Sequence, residues 1–330
     1  MRRREFITFV GGAAVVWPLA VRAQQSEQLK RVGVLMFYAD SDHEGQKRVT
    51  AFREELQRLG WEEGRNIQIK YQWYMGDVEK ARASAAELVR LAPDVIVANG
   101  AAGLEKLQKA TRTIPIVFTL IGEPVARGFV QSLAHPGGNI TGFTNLEATT
   151  AAKWIELLKE IAPSVKRVAI IYNSAVSPFA ILFARSAEVA AQNLELELVS
   201  AVVHSSGEIE ATIKALATEQ GGSLIVVPDG FIQTHRKLII ELAARYSLPA
   251  VYPFRFFPND GGLLSYGVEP HGVFRQTAAY VDRILRGARP ADLPVQQPTK
   301  FELVINLKTA KALGLTIPPT LLSRADALIE

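Results

Sequence analysis

Arg31-Val-Gly-Val-Leu-Met-Phe37 is answered 136 residues later by Arg167-Val-Ala-Ile-Ile-Tyr-Asn173. Each is a short apolar run closed by a turn, the pattern of a strand buried on both faces of a sheet. The echo continues in a fixed order. NIQIKYQW at 66 recurs as LELELVSAVV at 194, DVIVANG at 94 as SLIVVPDG at 223, and IPIVFTLIGEP at 114 as LPAVYPFRFFP at 248. The offsets are 128, 129 and 134. Single apolar strands look alike, but four in one order argue for two units of like design.

The segments between these runs carry helical periodicity. Val49, Phe52, Leu56 and Leu59 share one face, and 78–91 is helical by the same spacing. Strand–helix alternation implies an α/β fold of two doubly wound, parallel-sheet lobes. Three Gly- or Pro-rich stretches read as joins: HPGGNITGFTN (135–145), LLSYGVEPHG (263–272) and GARPADLPVQQP (287–298). They place residues 30–143 and 267–298 in the first lobe, and 144–266 and 299–330 in the second. A hinge of several crossings would then leave a cleft between the lobes.

The chain begins MRRREFITFVGGAAVVWPLAVRA, with a basic start, an apolar run from Phe6 to Val21, and small residues around a cleavage pattern ending at Ala23. This is the layout of an export signal peptide over 1–23. Sixteen residues rise about 24 Å as a helix, short of a hydrocarbon core of about 30 Å. Arg3-Arg4-Glu5-Phe6-Ile7 resembles a twin-arginine signal, which implies a periplasmic destination.

The net charge of +4 sits mostly in that leader, where four arginines face Glu5 alone and leave about +1 for the rest. A near-neutral body offers nothing to nucleic acid. With no cysteine at all, the chain has no disulfide, thiolate metal site or Cys nucleophile. The five histidines are scattered, no G-x-S-x-G elbow occurs, and PGGNITG lacks the lysine of a P-loop. No catalytic residue, metal site or cofactor is expected. The cluster Asp40-Ser-Asp-His-Glu44 reads as a solvated loop entering a helix.

Ligands of open parallel sheets bind beyond the carboxyl ends of the strands. That selects Tyr38 and Asp40; Asn99, Gly100 and Ala101; Glu123 and Pro124; Asn145; Asn173 and Ser174; Asp229 and Phe231; and Tyr266. Small residues, isolated carboxylates and aromatics suit a small organic solute with an amine, a carboxylate and an apolar body. The aromatic stretch 254–257 is a further candidate wall.

Three stretches, FREELQRLGWEEGRNIQIKYQW, IPIVFTLIGEPVARGFVQSLAHPGGNITGFT and FELVINLKTAKALGLTIP, resemble the ABC-transporter substrate-binding proteins of the tryptophan/tyrosine-binding type. The resemblance spans about residues 30–320 and implies a type I periplasmic-binding fold. It implies a solute captured between lobes and handed to a membrane permease and its ATPase, by a protein acting as a monomer without chemistry of its own. Glu123 stands where the family usually has Asp before Pro-Val. Asp229 matches an acid in the second lobe, and Asn173 matches the residue closing its strand. SAVSPF (174–179) and YADSDHEG (38–45) depart from the family pattern. A periplasmic sensor docking on a membrane receptor is the alternative, and an exported α/β enzyme is a third.

Overall fold

The computed structural model describes residues 29–218 and 221–330; the leader lies outside the described residues. The first sheet is built from β1 (Lys30–Met36), β2 (Ile67–Trp73), β3 (Val95–Asn99), β4 (Ile116–Thr119) and β5 (Ile140–Phe143). All its pairings are parallel, in the order β2-β1-β3-β4-β5. Helices α1 (His43–Arg58), α2 (Val78–Arg90) and α3 (Ala101–Ala110) make the first three crossovers, and the loop 120–139 makes the last. Every residue of β3 and β4 is buried, as expected of strands covered on both faces. Asp42 and Asp77 start α1 and α2 by accepting two backbone N–H bonds each, which satisfies donors that a helix leaves orphaned.

Helix α4 (Thr150–Ile161) then carries the chain to β6 (Arg167–Tyr172), and α5 (Ala180–Asn193), β7 (Glu197–Val202), α6 (Ser206–Ala217) and β8 (Gly222–Val226) follow. Next come α7 (Gly230–Thr234), α8 (Arg236–Arg245), β9 (Ala250–Tyr252), α9 (Phe256–Asn259) and β10 (Leu264–Gly267). Strand order β7-β6-β8-β9-β10 repeats that of the first sheet, so the four echoed runs occupy equivalent places. The chain ends with α10 (Pro270–Leu285), β11 (Glu302–Asn306), α11 (Leu307–Ala312), α12 (Pro319–Arg324) and β12 (Ala327–Ile329). β11 joins β10 antiparallel and β12 extends the sheet. The two parallel-sheet lobes expected from sequence are present; the one antiparallel pairing among the described residues is in the second sheet, where β11 enters directly from a crossing rather than through a crossover helix.

Two helices are exchanged between the sheets. α4 follows β5 but packs on α5 and β9, while α10 follows β10 but packs on α1, β3, β4 and β5. Trp154 anchors α4: its ring is fully buried, stacks on Phe183 at 5.6 Å, and its Nε1–H donates to the Tyr266 carbonyl at 2.8 Å. Beyond α10, Gln296 donates to the Gly142 carbonyl at 2.9 Å before the chain returns to β11. The stretch 254–257 is core rather than cleft wall, since Phe254, Phe256 and Phe257 are buried and mutually stacked.

The second crossing is tied by a charged cluster. Glu269 caps α10, and His271 Nδ1 lies 2.7 Å from the Glu269 carboxylate while its Nε2 lies 3.5 Å from Glu44 on α1. Glu269 first, then Glu44, raises the His271 pKa above 6.5 against its partial burial. A raised histidine stabilises the fold fully below about pH 6.5, and that contribution is lost as pH climbs through the raised value. Denaturation of the wild type and His271→Gln between pH 5.5 and 8.5 is expected to show a wild-type advantage that is largest at the acid end and shrinks with pH. A gap that stays constant across that range would contradict this.

Candidate functional site

The carboxyl ends of the two sheets face one another, and the cleft is lined from both. On the first-sheet side, Gly100 sits at φ +97° before α3, where a β-carbon would overlap the Tyr74 hydroxyl. Only glycine lets the backbone turn there so that the α3 N-terminus opens on the cleft. Gly100, Ala101, Gly122, Arg127 and Asn145 line this wall. The second-sheet side supplies Val176, Ser177, Asp229, Gly230 and Gln233. The open space is only about 70 Å³, well below the roughly 300 Å³ at which small-molecule pockets begin. A roomier groove of about 440 Å³ lies between α1 and the edge strand β2 of the first sheet. It is shallow and rimmed by charges such as the Arg53–Glu63 pair at 2.9 Å.

Asp229 is the acid of the cleft. It is 2% exposed, and its Oδ1 accepts from Ile232 N–H at 2.7 Å, starting α7, while its Oδ2 accepts from Asn173 N–H at 2.7 Å. Burial pushes its pKa from 3.8 up to about 7, against the pull of backbone N–H groups from Ile232, Asn173 and Phe231. Asn173 is buried and its Oδ1 accepts from Ala175 and Val176 N–H, which shapes the turn carrying Val176 and Ser177. On the opposite wall, Asn99 is buried beneath Gly100; its Nδ2 donates to the Thr119 carbonyl at 3.2 Å, and its Oδ1 has no partner. The Asn145 Oδ1 is likewise buried without a partner.

The two sides also touch directly. Tyr38, fully buried, donates its hydroxyl to Gln233 Oε1 at 2.9 Å, and burial drives its pKa well above the usual phenol range. Arg236 beside Gln233 pairs with Asp42 at 2.9 Å. Arg48 stacks 4.7 Å over the Tyr38 ring and 5.7 Å over Phe256. Arg127 crosses the cleft the other way, 4.5 Å over the Phe179 ring.

Of the residues selected from sequence, Gly100, Ala101, Asn145 and Asp229 line the cavity. Tyr38, Asn99 and Asn173 lie directly behind its walls. The others do not line it. Asp40 is exposed, and its carbonyl accepts from the Gln46 side chain; the structural acid of that loop is Asp42. Glu123, in the left-handed region at φ +55°, faces a neighbouring groove of about 360 Å³ together with Pro124 and Gln297. Ser174 is half-buried in the turn, Phe231 packs on His235 at 4.2 Å, and Tyr266 stacks on Phe301 at 5.6 Å. The sequence reading missed Arg127 and Gln233. Arg127 had a visible signal, being a lone cation in an apolar strand-end loop, ILE–GLY–GLU–PRO–VAL–ALA–ARG in order; Gln233 had none.

Among the described residues no cluster of His, Asp and Glu could hold a metal ion, and no helix is long and apolar enough to cross a membrane. Residues 32–329 match the family model for ABC transporter substrate binding protein. The chain belongs to that family. Its members bind small-molecule solutes, generally outside the cytoplasm, and work with a permease and an ATPase. A tyrosine-binding protein of Clostridioides difficile (strain R20291) is 26% identical over 290 residues, 88% of this chain and 82% of the relative. The crystal structure of a conserved domain protein from Vibrio cholerae superposes with a TM-score of 0.84 at 29% identity, covering 91% of this chain and all of the other. An ABC domain in complex with L-Trp from Streptococcus pneumoniae gives 0.82 at 26% identity, covering 91% of this chain and 99% of that one.

Because the Asp229 pKa is raised, the folded state holds its proton more tightly than the unfolded state does. The contribution of this group to stability therefore falls as pH rises from about 4 to about 7. Asp229→Asn keeps an acceptor for the α7 cap and removes the titration. The melting-temperature gap, wild type minus Asp229→Asn, is expected to decline from pH 4.5 to 7 and then level off. A gap that grows with pH would mean that the ionised form is the one the fold prefers.

Proposed function

We propose that this chain is the periplasmic solute receptor of an ABC importer and that it captures an amino-acid-like solute with an aromatic or other apolar body. The lobes that close on it are residues 30–143 with 267–298 and residues 144–266 with 299–330. The observation that carries this reading is the cavity where the two sheets' carboxyl ends meet, whose charged lining is one cation, Arg127, and one acid, Asp229, from opposite walls. The tyrosine-binding relative and the L-Trp complex support the choice of solute.

Closure works by selection: a solute that completes contacts with both walls binds the closed form better than the open form and shifts the population toward it. The Tyr38–Gln233 and Asp42–Arg236 contacts already favour closure, so the solute need supply only the remainder. Residues 1–23 act as an export signal of the twin-arginine kind. The mature chain works as a monomer, without a cofactor, and releases its solute unchanged to the permease.

Thermal shift with L-tyrosine, L-tryptophan and L-phenylalanine tests this. Ligand at 100 times its Kd is expected to add about 2.7 kcal/mol of stability, and the solute should be recovered unaltered. Silence across all three, in protein freed of carried-over ligand by unfolding and refolding, would reject the aromatic amino acid. Conversion of a bound compound would reject a pure binding role.

A further inference from the structure

We infer that Arg127 is the residue that reads the solute's carboxylate, and that it does so beneath an aromatic cover supplied by the opposite wall. This rests on the solute-receptor reading above and assigns its chemistry to a side chain. Arg127 follows β4 and lines the cavity. Its Nε donates to the Gly122 carbonyl at 3.0 Å, which fixes the plane of the guanidinium. The ring of Phe179, just before α5, lies 4.5 Å from its central carbon.

This cation lacks an anion. Burial lowers its pKa, and Glu105 and Glu123 only attract it from farther away. Among the described residues no carboxylate lies within ion-pair distance of Arg127. Taking a guanidinium partly out of water without a counter-ion is costly, and its fork of donors matches a planar carboxylate at two points. Asp229 is not that anion: its oxygens are held by the N–H groups of Ile232 and Asn173, and no cation is among the groups that set its pKa.

Asn145, in the crossing between β5 and α4, presents to the same cavity a buried Oδ1 with no partner. An unsatisfied acceptor and an unpaired cation in one cavity are the complement of an α-amino acid's ammonium and carboxylate groups. Phe179 adds direction. It reaches Arg127 from the other side of the cleft, so closing the cleft covers the guanidinium and strengthens its hold on the carboxylate by excluding water. Solutes with a neutral group in that place leave the cation unpaired and are selected against.

Calorimetric titration of the wild type, Arg127→Gln and Arg127→Lys is the test. The probes are L-tyrosine, L-tyrosinamide, L-tryptophan, 3-(4-hydroxyphenyl)propionate and indole-3-propionate. Arg127→Gln is expected to weaken L-tyrosine by about 10- to 100-fold, the range of a charged hydrogen-bonded contact. Arg127→Lys should weaken it less, and L-tyrosinamide should bind poorly to the wild type and be indifferent to the substitution. Equal binding of L-tyrosine by wild type and Arg127→Gln overturns the assignment while leaving the amino-acid reading in place. Equal binding of L-tyrosine and L-tyrosinamide by the wild type overturns it without any variant. If the wild type takes only the two propionates, and Arg127→Gln or Arg127→Lys loses them, Arg127 stands and the amino-acid reading falls. A wild type silent to every carboxylate overturns both.

Discussion

The exchange of α4 and α10 between the two sheets is the constraint on which the remaining structure depends. Each helix leaves a strand of one sheet and packs on the other, so neither unit closes its core with contiguous chain. The exchange also holds the carboxyl ends of both sheets toward a common cleft. Trp154 shows how firmly one helix is seated: a fully buried indole is stacked on Phe183 and hydrogen bonded to the Tyr266 carbonyl at the end of β10. Truncating such a side chain typically costs about 3–5 kcal/mol, a large share of a marginal total stability. Any flexing of the crossings is therefore confined to the short stretches that join the packed elements, between β5 and α4, between β10 and α10, and ahead of β11.

Polar groups inside the cleft follow from the same arrangement. Strand ends and helix starts meet there, and their orphaned N–H groups need acceptors. Asp229 meets that need twice, for α7 and for the turn at Asn173. This accounts for a carboxylate that is buried yet lacks a cation. Arg127 is the converse, a cation with a carbonyl and an aromatic face but no anion. The acid is held by the fold's own N–H groups while the cation awaits a partner, which is why the solute contact is assigned to the arginine.

The repeat and the sheet order were legible in the sequence because buried parallel strands are written as apolar runs, and RVGVLMF and RVAIIYN take equivalent central positions in the two sheets. Strand-end logic likewise led to Gly100, Ala101, Asn145 and Asp229. What it could not supply was direction within a loop. Asp40 and Asp42 are equivalent in pattern, yet Asp42 caps α1 and pairs with Arg236, while Asp40 faces solvent. Glu123 and Arg127 share one loop, and the left-handed backbone at Glu123 turns its side chain to a different groove. The antiparallel entry of β11 was also hidden, because FELVIN reads as one more apolar strand and its pairing depends on a crossing made far along the chain. Aromatics at 254–257 misled for the opposite reason, since buried core and pocket wall share one composition.

If the two walls part to admit a solute and close around it, as proposed, the distance across the cleft must change on binding. The absence of cysteine allows spin labels to be placed without background. Val78, at the start of α2, and Ile181, in α5, are both exposed and stand on opposite sides of the cleft. Pulsed electron–electron distance measurement on Val78→Cys with Ile181→Cys, before and after saturation with a solute shown to bind, is the most direct test. A broad or two-population distribution without solute, collapsing to a single shorter distance with it, is expected. One unchanged distance in both states would contradict it and leave a rigid cleft that binds without closing.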